Sequence, residues 1–300
     1  MTTRAMTLDR SAEAQAGTAT RPAPRFVDLL QMEFIKTLRR RMTHVIFAIM
    51  ALMVAGLLSL GYLVVFVFES NPDAEITDVL LPRVLEDGFE IIAMLGPILI
   101  AILAAGMAGS EFSWGTMRTM VGSGVPRARL LLAKLSVLAV ASLLLVITGT
   151  VALAGVSTGI SLIEGYGLRL SWLDLSTGYD VMLMLARTTF LLLVIAGLSF
   201  SIAQHFRSVA AGIAIGIGIM VFGPILAELA GLIGNIGETL NDYVITSAMS
   251  TIVSLNTFEA REIPPVLPGP WEAAATLALY AVIPIGLALW SFRRRDITVD

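Results

Sequence analysis

The residues best suited to polar chemistry lie in one short stretch, residues 111–134, between two long apolar runs. A carboxylate opens the stretch, a Gly-Thr pair and an arginine follow, and a break rich in glycine precedes a second basic group. The members of interest are Glu111, Gly115, Thr116, Arg118, Arg127 and Lys134. This order predicts a short helix, a turn and a return into the membrane, which would place a charged surface on the cytosolic side. A basic loop that only terminates the neighbouring spans is the alternative.

Residues for catalysis or metal binding are scarce. Cysteine is absent, which excludes disulfides, thiolate nucleophiles and cysteine-ligated metal clusters. The two histidines, His44 and His205, are isolated at the ends of apolar runs, so polarity at the membrane interface explains them better than a metal site. A phosphate-binding loop needs a glycine directly before its lysine, whereas both lysines, Lys36 and Lys134, follow apolar residues. We therefore predict no catalytic residue, no metal site and no ATP hydrolysis on this chain.

Two charged residues, Arg187 and Glu228, lie inside apolar runs. They flank a turn predicted near Phe206, and counting along the two helices places them at similar depth, with an offset of about 4.5 Å. A charge inside the membrane costs about 2.5–3.5 kcal/mol on insertion scales, and a partner of opposite charge relieves much of this cost. We hypothesise that Arg187 pairs with Glu228 in the outer leaflet. Separate extension of each side chain to the outer headgroups is the alternative.

Long apolar helices must position these residues. Of the 300 residues, 56% are hydrophobic and 14% are charged, whereas soluble domains have about 45–50% and 25%. A lipid bilayer admits only helices or closed barrels, and continuous apolar runs favour helices. Six runs approach or exceed the roughly 20 residues that cross a hydrocarbon core of about 30 Å, namely 44–68, 90–109, 135–156, 181–204, 209–230 and 271–291. The predicted fold class is an all-α membrane protein with six transmembrane helices.

The segments before and after these runs differ in composition. Residues 1–25 are rich in Ala, Thr, Arg and Pro without apolar periodicity, which predicts a disordered cytoplasmic tail. Residues 26–42 predict an amphipathic interfacial helix, with an ordinary cytosolic helix as the alternative. Its apolar residues recur at spacings of three and four: Val27, Leu30, Phe34 and Leu38. The transmembrane domain then covers 43–292, and a basic cytoplasmic tail covers 293–300.

The distribution of positive charge predicts the orientation. Sixteen of the twenty Lys and Arg residues lie in segments on one side of the six runs, and three lie in the loops on the other side. Positive residues concentrate in cytoplasmic loops of membrane proteins. Six spans place both termini on the same side, so we expect both termini in the cytoplasm.

One further pattern concerns helix packing. Gly212 and Gly216 form a GxxxG spacing, which lets two helix backbones approach closely, either within one chain or between two copies.

Residues 232–258 mix apolar and polar residues ahead of a proline-rich stretch, which predicts an external lid or a re-entrant helical hairpin before the last span. A simple loop is the alternative there.

In the order of its charged and glycine residues, the stretch 111–134 resembles the permease subunits of type-2 ABC transporters. The pattern is a glutamate, a Gly-Thr pair, a hydrophobic residue and an arginine, followed further on by an arginine and a lysine before the next span. The resemblance implies that the stretch is a coupling helix, with Glu111, Gly115, Thr116, Arg118, Arg127 and Lys134 matching the pattern. It also implies a separate ABC ATPase subunit that carries ATP and Mg²⁺, and a second permease copy or paralogue.

The leading functional prediction is therefore a permease subunit of an ATP-driven exporter, embedded in the cell membrane of a prokaryote. Its expected partners are the ATPase, a second permease and the lipid bilayer, without nucleic acid and without a cofactor on this chain. A stand-alone secondary transporter or channel is the alternative, and it would need ionisable residues near the bilayer midplane, for which only Arg187 and Glu228 are candidates. A membrane-embedded enzyme would need His, Cys or carboxylate clusters that we do not find in the sequence.

Overall fold

The computed structural model describes residues 25–68, 76–113, 126–167, 173–232, 243–258 and 267–294. Within these ranges all regular structure is helical. The α-helices are α1 (Phe26–Leu38), α2 (Arg41–Tyr62), α3 (Val84–Ser113), α4 (Arg127–Ile163), α5 (Leu175–Phe206), α6 (Val209–Gly231), α7 (Ile245–Ser254) and α8 (Pro270–Arg294). A π-helical turn, Leu63–Phe68, extends α2, and a short 3-10 helix, Ile76–Val79, precedes α3.

Six of these helices, α2 to α6 and α8, are long and apolar enough to cross a membrane. Each overlaps one of the six predicted runs, so the predicted all-α membrane fold with six spans is confirmed. The turn predicted near Phe206 is present, because α5 ends at Phe206 and Arg207 adopts the left-handed conformation with φ of 54° before α6 begins. We call the end of the bundle that holds this turn the inner end and the opposite end the outer end.

Helices α3 and α5 form the centre of the bundle and share the most extensive helix–helix contact. The inner half of α3 is lined with small buried residues, Ala101, Ala104, Ala105 and Ala108. Small side chains let neighbouring helices approach closely, which strengthens the van der Waals packing between helices in lipid. Helices α2, α6 and α8 lie outside this centre and bury only 22%, 17% and 22% of the residues in their apolar stretches.

The GxxxG spacing of α6 packs within the chain. A Cβ atom on Gly212 would lie 2.7 Å from the carbonyl oxygen of Ser199 on α5 and 2.8 Å from the Cβ of Ala105 on α3. A Cβ atom on Gly216 would lie 2.5 Å from the Cβ of Ala101. Since no side chain fits at either position, these glycines allow α6 to lie directly on α3 and α5. Of the two roles left open by the sequence, packing inside one chain is the one observed.

Helix α1 is shorter than the predicted 26–42 segment. It ends at Leu38, Arg39 caps its last turn, and the extended backbone of Arg40 starts the next helix. Two of the four residues of the predicted apolar face, Leu30 and Phe34, pack on the core. The other two, Val27 and Leu38, are exposed, and the residues buried against the bundle are instead Leu29, Glu33 and Thr37. The face of α1 that packs against the bundle therefore contains the carboxylate of Glu33 and omits Val27 and Leu38.

The outer segment before the last span contains the short helix α7, whose residues Ala248, Met249 and Ile252 are buried against the bundle. Helix α7 contacts α8, α6 and α5. The segment for which a lid or hairpin was predicted thus contains a short helix, while residues 233–242 and 259–266 lie outside the described ranges.

Candidate functional site

At the inner end, a buried ion pair joins α1 to α4. The ammonium Nζ of Lys134 donates a hydrogen bond to Glu33 Oε2 at 2.8 Å, and the two side chains are 1% and 2% exposed. Lys36 Nζ lies 3.6 Å from the other carboxylate oxygen of Glu33 and is partly exposed. One carboxylate thus lies between two ammonium groups, one buried and one at the surface.

The local sequence explains how Glu33 reaches this position. Leu29, Glu33 and Thr37 recur every four residues and therefore lie on one face of α1, the face that packs against α4. Lys134 lies two turns into α4, where its long stem is surrounded by core residues. Two charges in an apolar environment are tolerated only when they meet in good geometry, because each alone carries a desolvation penalty of several kcal/mol. The pair therefore fixes the position of α1 along α4.

A second set of contacts joins the corner between α1 and α2 to α3. Arg40 Nη1 donates to the backbone carbonyl of Gly106 on α3 at 3.2 Å. Within the corner, the Thr43 hydroxyl donates to the carbonyl of Thr37 at 2.7 Å. The α1–α2 unit thus contacts both helices that the 111–134 stretch joins: α3, whose last turn begins the stretch, and α4, whose first two turns end it.

The predicted coupling residues are placed as follows. Glu111 lies in the last turn of α3 and Arg127 is the first residue of α4, but their side chains lie outside the described part of the structure. Gly115, Thr116 and Arg118 also lie outside it. Lys134, expected as part of the same charged stretch, is buried inside the chain and holds Glu33. It is not available on the surface for a partner.

Sequence reasoning missed Glu33. The available signal was its spacing, since Glu33 follows Leu29 by four residues and precedes Thr37 by four, so it shares a face with residues that pack. The predicted apolar face consists only of large hydrophobic residues of α1, and Glu33 lies beside that face. Which of the two overlapping faces is buried depends on α4, and the sequence of α1 alone does not contain that information.

At the outer end, the structure does not bring Arg187 and Glu228 together. Arg187 Nη1 donates to the backbone carbonyl of Leu255 at 2.5 Å. Leu255 is the C-terminal cap of α7, where carbonyl groups lack helical donors and the helix dipole favours a cation. Glu228 is exposed on α6, and the described residues form no Arg187–Glu228 ion pair. The position of α7, which the sequence did not reveal, supplies the nearer partner.

Two neighbouring contacts secure the chain after α7. Asn256 Nδ2 donates to the Thr188 hydroxyl of α5 at 3.1 Å. The backbone amide of Phe258 donates to Glu86 Oε1, near the start of α3, at 2.8 Å. The segment that follows α7 is therefore held against the outer ends of α3 and α5.

The sequence profile of the ABC-2 family transporter proteins matches residues 28–297, which is nearly the whole chain. The chain belongs to this family. The ABC-2 chain is therefore a multi-pass membrane protein and a permease subunit of an ABC transporter, and the family implies association with an ABC ATPase. No individually curated protein matches the sequence. In the part of the ABC-2 chain that the structure describes, no three His, Asp or Glu side chains converge to hold a metal ion.

Proposed function

We propose that this chain is the membrane-spanning subunit of an exporter in the cell membrane, and that residues 111–134 dock on a separate ATPase. That subunit would bind ATP and Mg²⁺, a second permease copy or paralogue would complete the path, and this chain would carry no cofactor and catalyse no reaction. Both termini would face the cytoplasm. The outward direction rests on the resemblance to type-2 ABC permeases.

The observation that carries the proposal is the position of α1. Its buried Glu33–Lys134 pair holds α4, and the Arg40–Gly106 contact holds α3. The last turn of α3 and the first two turns of α4 form the two ends of the proposed docking segment. A displacement of that segment by an ATPase would therefore move α3 and α4 together with α1, instead of bending a free loop. In this proposal Lys134 positions the segment and does not contact the ATPase.

The test is reconstitution of the chain with its ATPase in proteoliposomes, with ATP hydrolysis and transport measured in parallel. Glu111→Ala and Arg118→Ala should lower transport per ATP hydrolysed while insertion and assembly remain intact. Arg83→Ala is the matched control, because Arg83 lies at the outer end, where it is exposed and contacts Asp78 at 3.3 Å. Full transport by both inner-end variants would contradict the coupling role. Transport that an ion gradient drives without the ATPase would instead support a stand-alone secondary transporter.

A further inference from the structure

Helix α1 lies at the level where the apolar stretches of the neighbouring spans begin. After Arg41, no Lys, Arg, Asp or Glu occurs up to Phe68, and none occurs between Lys134 and Glu164. Arg41 and Lys134 therefore mark the inner edge of the hydrocarbon core. Lys134 contacts Glu33 in the middle of α1, and Arg41 follows shortly after the end of α1. Since two points along its axis lie at this level, α1 runs along the inner membrane surface.

The surface of α1 outside its contact with α4 has two flanks of different chemistry. Successive residues of a helix are about 100° apart, and Glu33 lies in the middle of the face that packs on α4. On one side of that face, an apolar flank spans about 80° of the circumference and holds Leu30, Phe34, Val27 and Leu38. On the other side, a charged flank of similar width holds Lys36, Met32, Arg39 and Asp28. Gln31 and Ile35 lie between the two flanks.

The apolar flank is the one directed toward the spans. Leu30 and Phe34 pack against the hydrophobic core of the bundle, most of whose residues belong to the membrane-crossing helices. Val27 and Leu38 continue the same flank away from the bundle and are 57% and 43% exposed. Apolar side chains at this level insert between the headgroups and the acyl chains in helices that lie in a membrane interface. The exposed part of the apolar flank therefore offers a surface to lipid.

Two exposed arginines lie at the corner where α1 meets α2. Arg39 caps α1 and Arg41 is the first residue of α2, and neither forms an ion pair with a described carboxylate. The acidic residue on the charged flank, Asp28, precedes Arg39 by eleven residues, which is about 16 Å along the helix axis. This distance exceeds the Debye length of about 8 Å at physiological ionic strength. The corner therefore presents positive charge to an external anion.

We propose that the corner between α1 and α2 binds an anionic phospholipid of the inner leaflet. Arg39 and Arg41 would hold its phosphate group, because guanidinium groups bind phosphate through paired N–H donors. Its acyl chains would cover the exposed apolar flank. Since α1 holds α4 through Glu33 and α3 through the Arg40 contact, a lipid bound here would restrain both helices. The inference goes beyond the proposed transport function and does not depend on it.

The test is lipid binding to the purified chain in non-ionic detergent, without ATPase, measured by native mass spectrometry. The probes are phosphatidylglycerol and phosphatidylcholine with identical acyl chains, which differ in net charge. We expect saturable binding of phosphatidylglycerol, several-fold tighter than that of phosphatidylcholine. The double variant Arg39→Gln, Arg41→Gln should weaken phosphatidylglycerol binding by roughly fivefold for each arginine and leave phosphatidylcholine binding unchanged. Arg83→Gln removes an exposed arginine at the outer end and is the matched control, which should bind as the wild type does.

Two further measurements distinguish a lipid from other occupants of this surface. Glycerol phosphate, a soluble headgroup, should not displace phosphatidylglycerol at equal concentration, because it lacks the acyl chains. The chain has no cysteine, so Val27→Cys and Met32→Cys each carry a single spin label. In nanodiscs that contain phosphatidylglycerol, oxygen should relax the label at Val27 on the apolar flank more than a water-soluble nickel chelate does. The label at Met32 on the charged flank should show the reverse.

Several results would overturn the inference. These are equal affinity for the two lipids, unchanged phosphatidylglycerol binding in the double arginine variant, and an equal loss in Arg83→Gln. Displacement by glycerol phosphate would show an anion site and not a lipid site. A label at Val27 that the nickel chelate reaches as readily as the label at Met32 would place the apolar flank outside the membrane. None of these measurements involves ATP-driven transport, so their failure is distinct from a failure of the proposed function.

Discussion

Glu33 and Lys134 are 101 residues apart in the sequence, and their side chains meet at 2.8 Å in the interior of the protein. Removing Lys134 leaves Glu33 with only the more distant, partly exposed Lys36, and removing Glu33 takes the carboxylate away from the buried ammonium group. Breaking such a buried pair costs about 3–5 kcal/mol. We expect Glu33→Leu or Lys134→Met alone to lower the thermal stability of the purified protein strongly. The double variant should recover most of the loss, because an apolar pair of similar volume needs no charge compensation.

Lys36→Ala is the control for this cycle. Lys36 approaches the same carboxylate but is 26% exposed, so its loss should cost less than about 1 kcal/mol. A double variant that is less stable than either single variant would contradict this expectation. It would show that an apolar pair cannot replace the ion pair in holding α1 in place. Transport by the double variant, measured with the ATPase, would show whether a rigid attachment of α1 is sufficient for coupling.

Two glycines of α6 provide a matched pair for testing the packing. A Cβ atom on Gly216 would meet the Ser199 hydroxyl and the Cβ of Ala101, whereas one on Gly218 has no atom within 4 Å. Gly216→Ala should therefore destabilise the protein by about 1–3 kcal/mol through overpacking. Gly218→Ala should be neutral or slightly stabilising, since alanine favours the helix over glycine. Similar melting temperatures for the two variants would contradict the placement of α6.

The first turn of α5 should make stability depend on pH. Asp174 caps this helix. A hydrogen bond from the Thr177 side chain, and to a smaller extent one from the Thr177 backbone amide, lowers the pKa of Asp174 below its ordinary value of 3.8. A lowered pKa in the folded state means that the stabilisation is present above the ordinary value and is lost as pH falls through the folded pKa. The melting temperature should fall over this acidic range.

Asp174→Asn distinguishes the contribution of the charge from that of the capping hydrogen bond. Asparagine caps helices as well as aspartate, but its side chain does not titrate. Its melting temperature near neutral pH should approach that of the wild type, and on acidification the wild type should lose stability at this cap that the variant keeps. Asp174→Ala should be less stable than both at neutral pH. A wild type and an Asp174→Asn variant with parallel pH profiles would rule out this contribution.

Arg187 and Glu228 should behave as independent residues. Arg187→Ala removes the donor to the Leu255 carbonyl and should cost about 1.5–3 kcal/mol, the range for hydrogen bonds of charged groups. Glu228→Ala changes an exposed side chain and should stay within about 0.5 kcal/mol of the wild type. The double variant should show the sum of the two effects in thermal unfolding. Recovery in the double variant would restore the hypothesis that the two residues pair.

The orientation of the chain is testable with reporters. A reporter fused after Asp300 and one inserted at residues 74–75, ahead of α3, should report opposite compartments, because one span separates the inner end from that loop. Activity of the C-terminal reporter in the cytoplasm is the expected result. A C-terminus outside the cell would place residues 111–134 away from any cytoplasmic ATPase.

The spans and the inner turn were predictable because they depend on local composition. Runs of apolar residues must lie in lipid as helices, whatever their neighbours are, and the break at Arg207 and Ser208 lies between two such runs. The burial of Glu33 and the partner of Arg187 were not predictable in this way. Each depends on a helix distant in sequence, α4 for Glu33 and α7 for Arg187, and periodicity within one helix does not report which neighbour it meets. The GxxxG pattern is ambiguous for the same reason, because it does not report that Ala101 and Ala105 of α3 lie against it.

Helix α4 has 37 residues and no proline, so it forms an unbroken rod of about 55 Å, much longer than a hydrocarbon core of about 30 Å. Lys134 lies near one end of the rod, and at the other end Glu164 accepts a hydrogen bond from the Tyr62 hydroxyl of α2. A stiff rod that pivots in the membrane moves its two ends in opposite directions. If residues 111–134 dock on the ATPase as proposed, a displacement of the chain before Arg127 would therefore move Glu164 at the other end of the rod in the opposite direction.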